Sequence, residues 1–241
     1  MRKIKLSVIV PVYNEELAIA KTLDTILSFL KRKKYNWEII VVDDGSLDNT
    51  SGIVQEMKTK DIRLEKLTNN QGKGAAIRRG VMTSRGELII FTDADLSVPI
   101  EFMDKIIGKL ENGYDVVIGS RRIEGSKIIK HQNFLRENMG RVFTLLSQMV
   151  TGTWVSDFTC GFKGFKTYCA KSVFSRSLLN RWVFDSEIIF LARKFKFRIG
   201  EVAVEWINRE DSRIKSLGST GYKSFLELMQ IRLNDFKGKY D

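Results

Sequence analysis

The chain has 241 residues, 43% of them hydrophobic and 29% charged, with two prolines. That is enough apolar material for one large core, and there is no proline-rich linker to divide it. A net charge of +11 attracts polyanions: nucleic acid, an anionic membrane surface or a phosphate-bearing substrate. No apolar run reaches the roughly 18 residues that a membrane-crossing helix needs.

The N-terminus, MRKIKLSVIVPVY, is basic and then apolar. The apolar run is short, is cut by Pro11 and lacks a small-residue cleavage site, so it reads as a first strand and not a signal peptide. Residues 15–33 follow as a helix with Leu17, Thr22, Leu23, Ile26, Phe29 and Leu30 near one face. Next come a buried strand over 37–46 that ends at a turn, a short helix over 48–58, a strand over 62–68 and a helix over 73–84. A strand over 86–95 precedes a helix over 99–113, with Pro99 at its start and Gly113 just past its end. Residues 114–120 give one more strand. Short apolar strands between helices imply an α/β fold with a doubly wound, mostly parallel sheet covered on both faces. The second half is less regular. Residues 133–151 read as a helix with Leu135, Met139, Val142, Leu146 and Met149 in a stripe. DFTCGFKGFK, a helix over 184–195, a strand over 200–207 and a Gly/Ser-rich loop over 216–221 follow. The last helix carries Tyr222, Phe225, Leu226, Met229, Leu233 and Phe236 on one face. Cys160 and Cys169 fit neither a disulfide framework nor a zinc spacing and read as reduced, buried thiols.

Ligands of doubly wound sheets collect at the carboxyl ends of the strands. There the sequence places Pro11, Tyr13, Asn14 and Glu15, then Asp43 and Asp44, then Asn69, Gln71 and Gly72. Asp93 and Asp95 come next, then Gly119, Ser120 and Arg121. In an extended segment Asp93 and Asp95 point the same way, so they repel unless a cation lies between them. Mg²⁺ or Mn²⁺ takes oxygen ligands and shares them with substrate phosphates; a solvated turn is the alternative. A turn and a helix cap at Ser46 or Asp48 explain one acidic residue of VVDDGS, not two. An acid after an early strand commonly binds a base or ribose. There is no GxGxxG after the first strand and no GxxxxGK[ST], which disfavours a dinucleotide cofactor and a P-loop. Gly72 and Gly74 open a helix whose N–H groups suit an anion, or simply make a tight turn.

SVIVPVYNEE, VVDDGSLDNT, NQGKGAAIRRG, FTDADLS and DVVIGSRR together resemble the family 2 inverting glycosyltransferases of the GT-A fold. DFTCGFKGFK, RWVFDSEIIFLARK and EVAVEW narrow the resemblance to dolichyl-phosphate glucosyltransferases and the related mannose synthases. It covers residues 5 to 215. It implies one glycosyltransferase domain over 1–241, with a nucleotide-sugar-binding half (1–125) and an acceptor-binding half with a C-terminal helix (126–241). Pro11, Tyr13, Glu15, Asp43, Asp44, Lys73, Asp93 and Ala94 would form the nucleotide-sugar pocket. Asp93 and Asp95 would hold Mg²⁺ or Mn²⁺ and the diphosphate. The mannose synthases often carry Gln where this chain has Ser97. Arg121, together with Asp93 and Asp95, is expected to be catalytic. Arg121, Arg136 and Arg141 would meet the acceptor phosphate. Arg209, Ser212 and Arg213 would close over the donor diphosphate.

The implied reaction is inverting transfer of a hexose, glucose from UDP-glucose ahead of mannose from GDP-mannose, to a polyprenyl or dolichyl phosphate. A cell-wall or lipid-linked glycan acceptor is a further alternative. The leaving diphosphate gains negative charge, which metal and arginines stabilise. A lipid monophosphate is already ionised, so no general base is required. His131 then reads as a surface residue, and Asp157 as either a base for another acceptor or a loop-orienting group. The two stripes in the second half read first as core, with an anionic bilayer or an oligomer interface as the alternatives. Relatives in eukaryotes carry an N-terminal anchor, whereas this sequence starts at the first strand. The expectation is a cytoplasmic enzyme, peripheral on the inner face of the cell membrane, with the oligomeric state left open. A nucleic-acid partner is disfavoured, because no RRM, zinc-finger or helix-turn-helix signature accompanies the basic charge.

Overall fold

The computed structural model describes residues 3–130, 134–207 and 217–241, and side chains for all of these except 134–136 and 217–221. Its first half alternates strand and helix: β1 (Leu6–Val12), α1 (Ile19–Leu30), β2 (Trp37–Asp43), α2 (Thr50–Glu56), β3 (Ile62–Lys66), α3 (Lys73–Thr83) and β4 (Leu88–Phe91). A 3₁₀ turn over Ile100–Phe102 leads into α4 (Met103–Glu111), then β5 (Val116–Ser120) and β6 (Lys127–Lys130). The rest is α5 (Phe134–Thr151), β7 (Lys163–Lys166), α6 (Thr167–Arg176), α7 (Phe184–Lys194), β8 (Ile199–Ala203), β9 (Glu205–Ile207) and α8 (Leu217–Phe236).

The seven-stranded sheet has the order β3-β2-β1-β4-β7-β5-β8. The β3-β2-β1-β4 half is parallel throughout. Because β1 and β2 are covered on both faces, their Val/Ile runs are continuous and not alternating. Alternate residues still sort to opposite faces: Val8 and Val10 pack with α1 and α4, while Ile9 packs with α3, α6 and α7. The predicted α/β sheet is present, with one departure. β7 lies within DFTCGFKGFK, which gave no strand signal, and it inserts antiparallel between β4 and β5. Its four residues are KGFK, two lysines and a glycine beside one phenylalanine, so it carries no run of β-branched residues to mark it. Three boundaries also shift. The helix expected from residue 15 begins at Ile19. The single strand expected over 200–207 is split into β8 in the main sheet and β9, which pairs with β6 in a two-stranded sheet. The loop expected over 216–221 instead contains the start of α8 at Leu217.

Of the two striped helices of the second half, α8 presents its apolar stripe outward and α5 only part of its own. α5 packs on α7 and α8 and buries Thr144, Ser147 and Thr151, with Phe143, Leu146 and Val150 half-buried against the core. Val142, Leu145 and Met149 stay exposed. α8 buries Ser224, Leu228, Ile231 and Asn234, a helical stripe at i, i+4, i+7, i+10. Tyr222, Phe225, Leu226, Met229, Leu233 and Phe236 are on its outer side, Phe236 at 92% exposure. Beyond the helix, Tyr240 is fully buried, and its hydroxyl donates to Glu187 at 2.6 Å.

Candidate active site

The carboxyl ends of β1, β2 and β4 gather most of the expected residues, and cross-loop hydrogen bonds fix their positions. After β1, Asn14 N–H donates to Ser46 Oγ (2.9 Å), Glu15 N–H to Thr50 Oγ1 (2.7 Å), and Leu47 N–H to Asn14 Oδ1 (2.8 Å). Asn14 adopts φ of +51°, a left-handed conformation that asparagine tolerates better than most residues. Pro11, Tyr13 and Glu15 are half-buried along this wall.

Asp43 and Asp44 are both buried, and both shape loops. Asp43 accepts from Ser46 N–H at 2.8 Å and from the Ser51 hydroxyl. Asp44 accepts from Gln71 N–H and Gly72 N–H, each at 2.8 Å, and from Asn70 Nδ2 at 2.9 Å. Burial raises the Asp44 pKa, against the opposing pull of those two N–H groups. The α3 entrance is therefore not an open anion cradle. Asp44 takes the N–H groups of Gln71 and Gly72, and the Asn180 carbonyl takes those of Gly74 (2.7 Å) and Ala75 (3.3 Å). Gly72 is the position where only glycine fits: its φ is +109° and Asn180 O would meet a Cβ at 2.5 Å.

Asp93 and Asp95 lie beyond the end of β4, in a turn closed by Leu96 N–H on Asp93 O (3.2 Å), not in extended chain. The strand ends at Phe91, so turn geometry and not β-pleat decides where the two carboxylates point. Asp95 is exposed and accepts from the N–H (2.9 Å) and hydroxyl (2.6 Å) of Ser97. Asp93 is half-buried and forms an ion pair with Lys73 at the start of α3. The buried Ala94 offers its carbonyl to the Thr22 hydroxyl at 2.5 Å, which ties the turn to α1. Ile207 N–H donates to Ser97 O at 2.9 Å, which brings β9 to the same turn. Among the described residues no group of three or more His, Cys, Asp or Glu side chains is arranged as a metal site. Two carboxylates are nonetheless a fitting set for a hard cation that shares its remaining ligands with a diphosphate.

Arg121, at the end of β5, is held by Asp157. Nε and Nη2 donate to the two carboxylate oxygens at 2.7 and 2.9 Å, and Nη2 also reaches Thr159 Oγ1 at 2.8 Å. The guanidinium stacks over Trp206, 5.4 Å from the ring centre. Burial opposes charge on Asp157, but Arg121 outweighs it and holds the carboxyl down at about 2. This pairing assigns Asp157 the orienting role of the two left open by sequence. Arg141 is exposed on α5 and acts electrostatically on Arg122. Arg122 donates to Thr144 and was not singled out by sequence. Arg136 belongs to the α5 backbone, but its side chain is outside the described residues, as are Arg209, Ser212, Arg213 and His131.

Three further residues escaped the sequence reading. Lys163 on β7 is wholly buried, donates to Cys160 O at 2.6 Å and pairs with Asp185 in the first turn of α7. Gly161 passes so close to Asp93 that a Cβ there would overlap its carboxylate. The sequence carried only a faint signal for Lys163 and Asp185: in a strand Lys163 shares a face with Phe165, and a cation buried there would demand a counter-charge. Cys160 and Cys169 are buried free thiols as expected, and burial pushes Cys160 up to about 11.

This strand order, with acids and a lysine gathered at the carboxyl ends of its strands, defines an α/β nucleotide-sugar transferase of the GT-A fold. Glucosyl-3-phosphoglycerate synthase of Mycobacterium tuberculosis, solved with UDP, superposes with a TM-score of 0.71 at 19% identity, over 94% of this chain and 79% of that one. Staphylococcus aureus TarS with UDP-GlcNAc gives 0.63 at 22% identity, over 96% and 67%. Residues 7–174 match the model of glycosyl transferase family 2, and the chain belongs to that family of glycosyltransferases. The human dolichyl-phosphate beta-glucosyltransferase is 35% identical, over 98% of this chain and 77% of its own length. The enzyme of the same name from Dictyostelium discoideum is 36% identical, over 90% and 71%.

Proposed function

We propose that the protein transfers glucose from UDP-glucose to a polyprenyl or dolichyl phosphate with inversion, using Mg²⁺ or Mn²⁺ held by Asp93 and Asp95. The dolichyl-phosphate glucosyltransferases to which the chain is similar support the sugar and the acceptor. The observation that carries the reading is the pairing of three carboxylates near the strand ends with cationic side chains. Asp157 is held by Arg121, Asp185 by Lys163 and Asp93 by Lys73. Carboxylates neutralised in this way are poor general bases, which suits an acceptor that arrives ionised.

In this reading a phosphate oxygen of the acceptor attacks the anomeric carbon while the bond to the β-phosphate breaks, and UDP departs with the electron pair. The cation supplies charge stabilisation at the diphosphate. Pro11, Tyr13, Glu15, Asp43 and Asp44 shape the nucleotide pocket, with Lys73 and Ala94 beside the diphosphate. Arg121, fixed in orientation by Asp157, and Arg141 draw the acceptor phosphate. Arg136, Arg209 and Arg213 are assigned to the phosphates by resemblance alone.

No described helix is long and apolar enough to cross a membrane. We place the enzyme on the surface of one, peripheral on the cytoplasmic face. The exposed apolar sides of α5 and α8, with Lys223, Arg232, Lys237 and Lys239 exposed alongside, support this placement. The test mixes protein, Mn²⁺ or Mg²⁺, labelled UDP-glucose or GDP-mannose, and a short polyprenyl phosphate in detergent. Label entering the organic phase from UDP-glucose alone is the expected result. Transfer only from GDP-mannose would overturn the donor, and nucleotide binding without lipid product would overturn the acceptor. Asp95→Ala should abolish transfer and leave the melting temperature within a few degrees of wild type.

A further inference from the structure

We infer that Lys73 is a built-in counter-ion of Asp93 that competes with the divalent cation for that carboxylate, and that Asp185 is the positioning residue that draws Lys73 aside. The inference rests on the metal site proposed above. Lys73 ion-pairs with Asp93, and its side chain is only 29% exposed. Asp185 is within electrostatic reach of both Lys73 and Asp93. Asp185 is in turn paired with the fully buried Lys163. Taken in order of decreasing side-chain exposure, the four groups alternate in sign: Asp93, Lys73, Asp185, Lys163.

The backbone holds this order in place. Gly74 packs so closely on Phe184, the first residue of α7, that a Cβ there would meet Phe184 Cβ at 2.6 Å. The Asn180 carbonyl caps the α3 N–H groups beside it. The starts of α3 and α7 are therefore clamped together, which keeps the root of Lys73 close to the helix turn that carries Asp185. An ammonium and a divalent cation cannot share one carboxylate oxygen at contact distance without strong repulsion. The lysine stem has the rotamer freedom to yield, and Asp185 provides a second attractive charge within electrostatic reach. A donor diphosphate arriving with the cation gives the displaced ammonium a second partner, so cation and nucleotide reinforce each other.

Two variants of the full chain are predicted to move metal affinity in opposite directions. Free Mn²⁺ is followed by electron paramagnetic resonance at neutral pH without nucleotide. A neighbouring charge shifts a carboxylate's affinity for a cation by on the order of tenfold or more. Lys73→Met should therefore tighten Mn²⁺ binding about tenfold, and Lys73→Gln should do the same. Asp185→Asn should weaken it severalfold, because Lys73 is left with Asp93 alone. Adding Asp93→Asn to Lys73→Met should remove the gain, which separates this site from surface carboxylates. A lysine with only a structural or phosphate-binding role would leave metal-only affinity unchanged or lower it. Unchanged or weaker binding in both Lys73 variants overturns the inference. Should Asp185→Asn fail to fold, the two Lys73 variants still decide. If wild-type protein binds Mn²⁺ with UDP but the Lys73 variants show no gain, only this inference fails. If it binds no Mn²⁺ even with UDP, the metal site itself fails.

Discussion

Asp157→Asn should destabilise the protein substantially without touching the nucleotide pocket. Asp157 is fully buried and accepts from Arg121 through Nε, Nη2 and the backbone N–H, and from Thr159 N–H. Its carboxyl is held at about 2, against 3.8 for a free one. At about 1.4 kcal/mol per unit, that preference for the charged form corresponds to roughly 2–3 kcal/mol. Asparagine also leaves the guanidinium of Arg121, only 17% exposed, without its counter-charge, which brings the loss to roughly 3–5 kcal/mol. For a chain of this size that lowers Tm by about 10 °C. Calorimetry or urea unfolding at pH 7 measures it. The paired variant Arg121→Met/Asp157→Asn should cost less than the two single changes added together. A loss below about 1 kcal/mol in Asp157→Asn, or simple additivity in the pair, would refute the reasoning. The pH dependence follows the same group. Its folded pKa is depressed, so its contribution is present above pH 4 and is lost as pH falls from about 4 to about 2. Asp157→Asn should flatten the stability profile in that window.

Gly161→Ala should displace Asp93 and weaken Mn²⁺-dependent UDP binding at least tenfold by isothermal titration, while Tm changes little. Tyr240→Phe removes a buried donor from Glu187 and should cost about 1–3 kcal/mol in urea unfolding; no loss would mean that the C-terminal latch is unimportant. Leu226→Asp with Met229→Asp, both exposed on α8, should abolish sedimentation with vesicles containing anionic lipid and spare nucleotide binding. If binding to vesicles persists, or if the double variant instead dissociates an oligomer, that face has another partner.

The sheet's first half could be read directly from the chain, because each strand there is a short apolar run bounded by turn residues and each helix has its own periodicity. The same reading located Asp43, Asp44, Asp93 and Asp95, since a strand's end is where its polar residues begin. Antiparallel β7 could not be read in this way. KGFK carries no run of β-branched residues, and its place between β4 and β5 depends on partners 72 and 49 residues away in register, Phe91 for Lys163 and Val116 for Phe165. The roles of the charged residues were equally out of reach. Whether Lys73 faces solvent or Asp93, and whether Asp157 acts as a base or clasps Arg121, depends on which distant charge folding brings beside it. The outward direction of the α8 stripe had the same origin: the helix pattern shows that one side is apolar, and only packing on α5 and α7 decides that Leu228 and Ile231 are buried while Leu226 and Met229 are not. Sequence alone determined the elements with local periodicity and the chemistry available at strand ends. Tertiary structure decided the pairing of charges and the exposure of faces, because both are set by contacts between residues far apart in the chain.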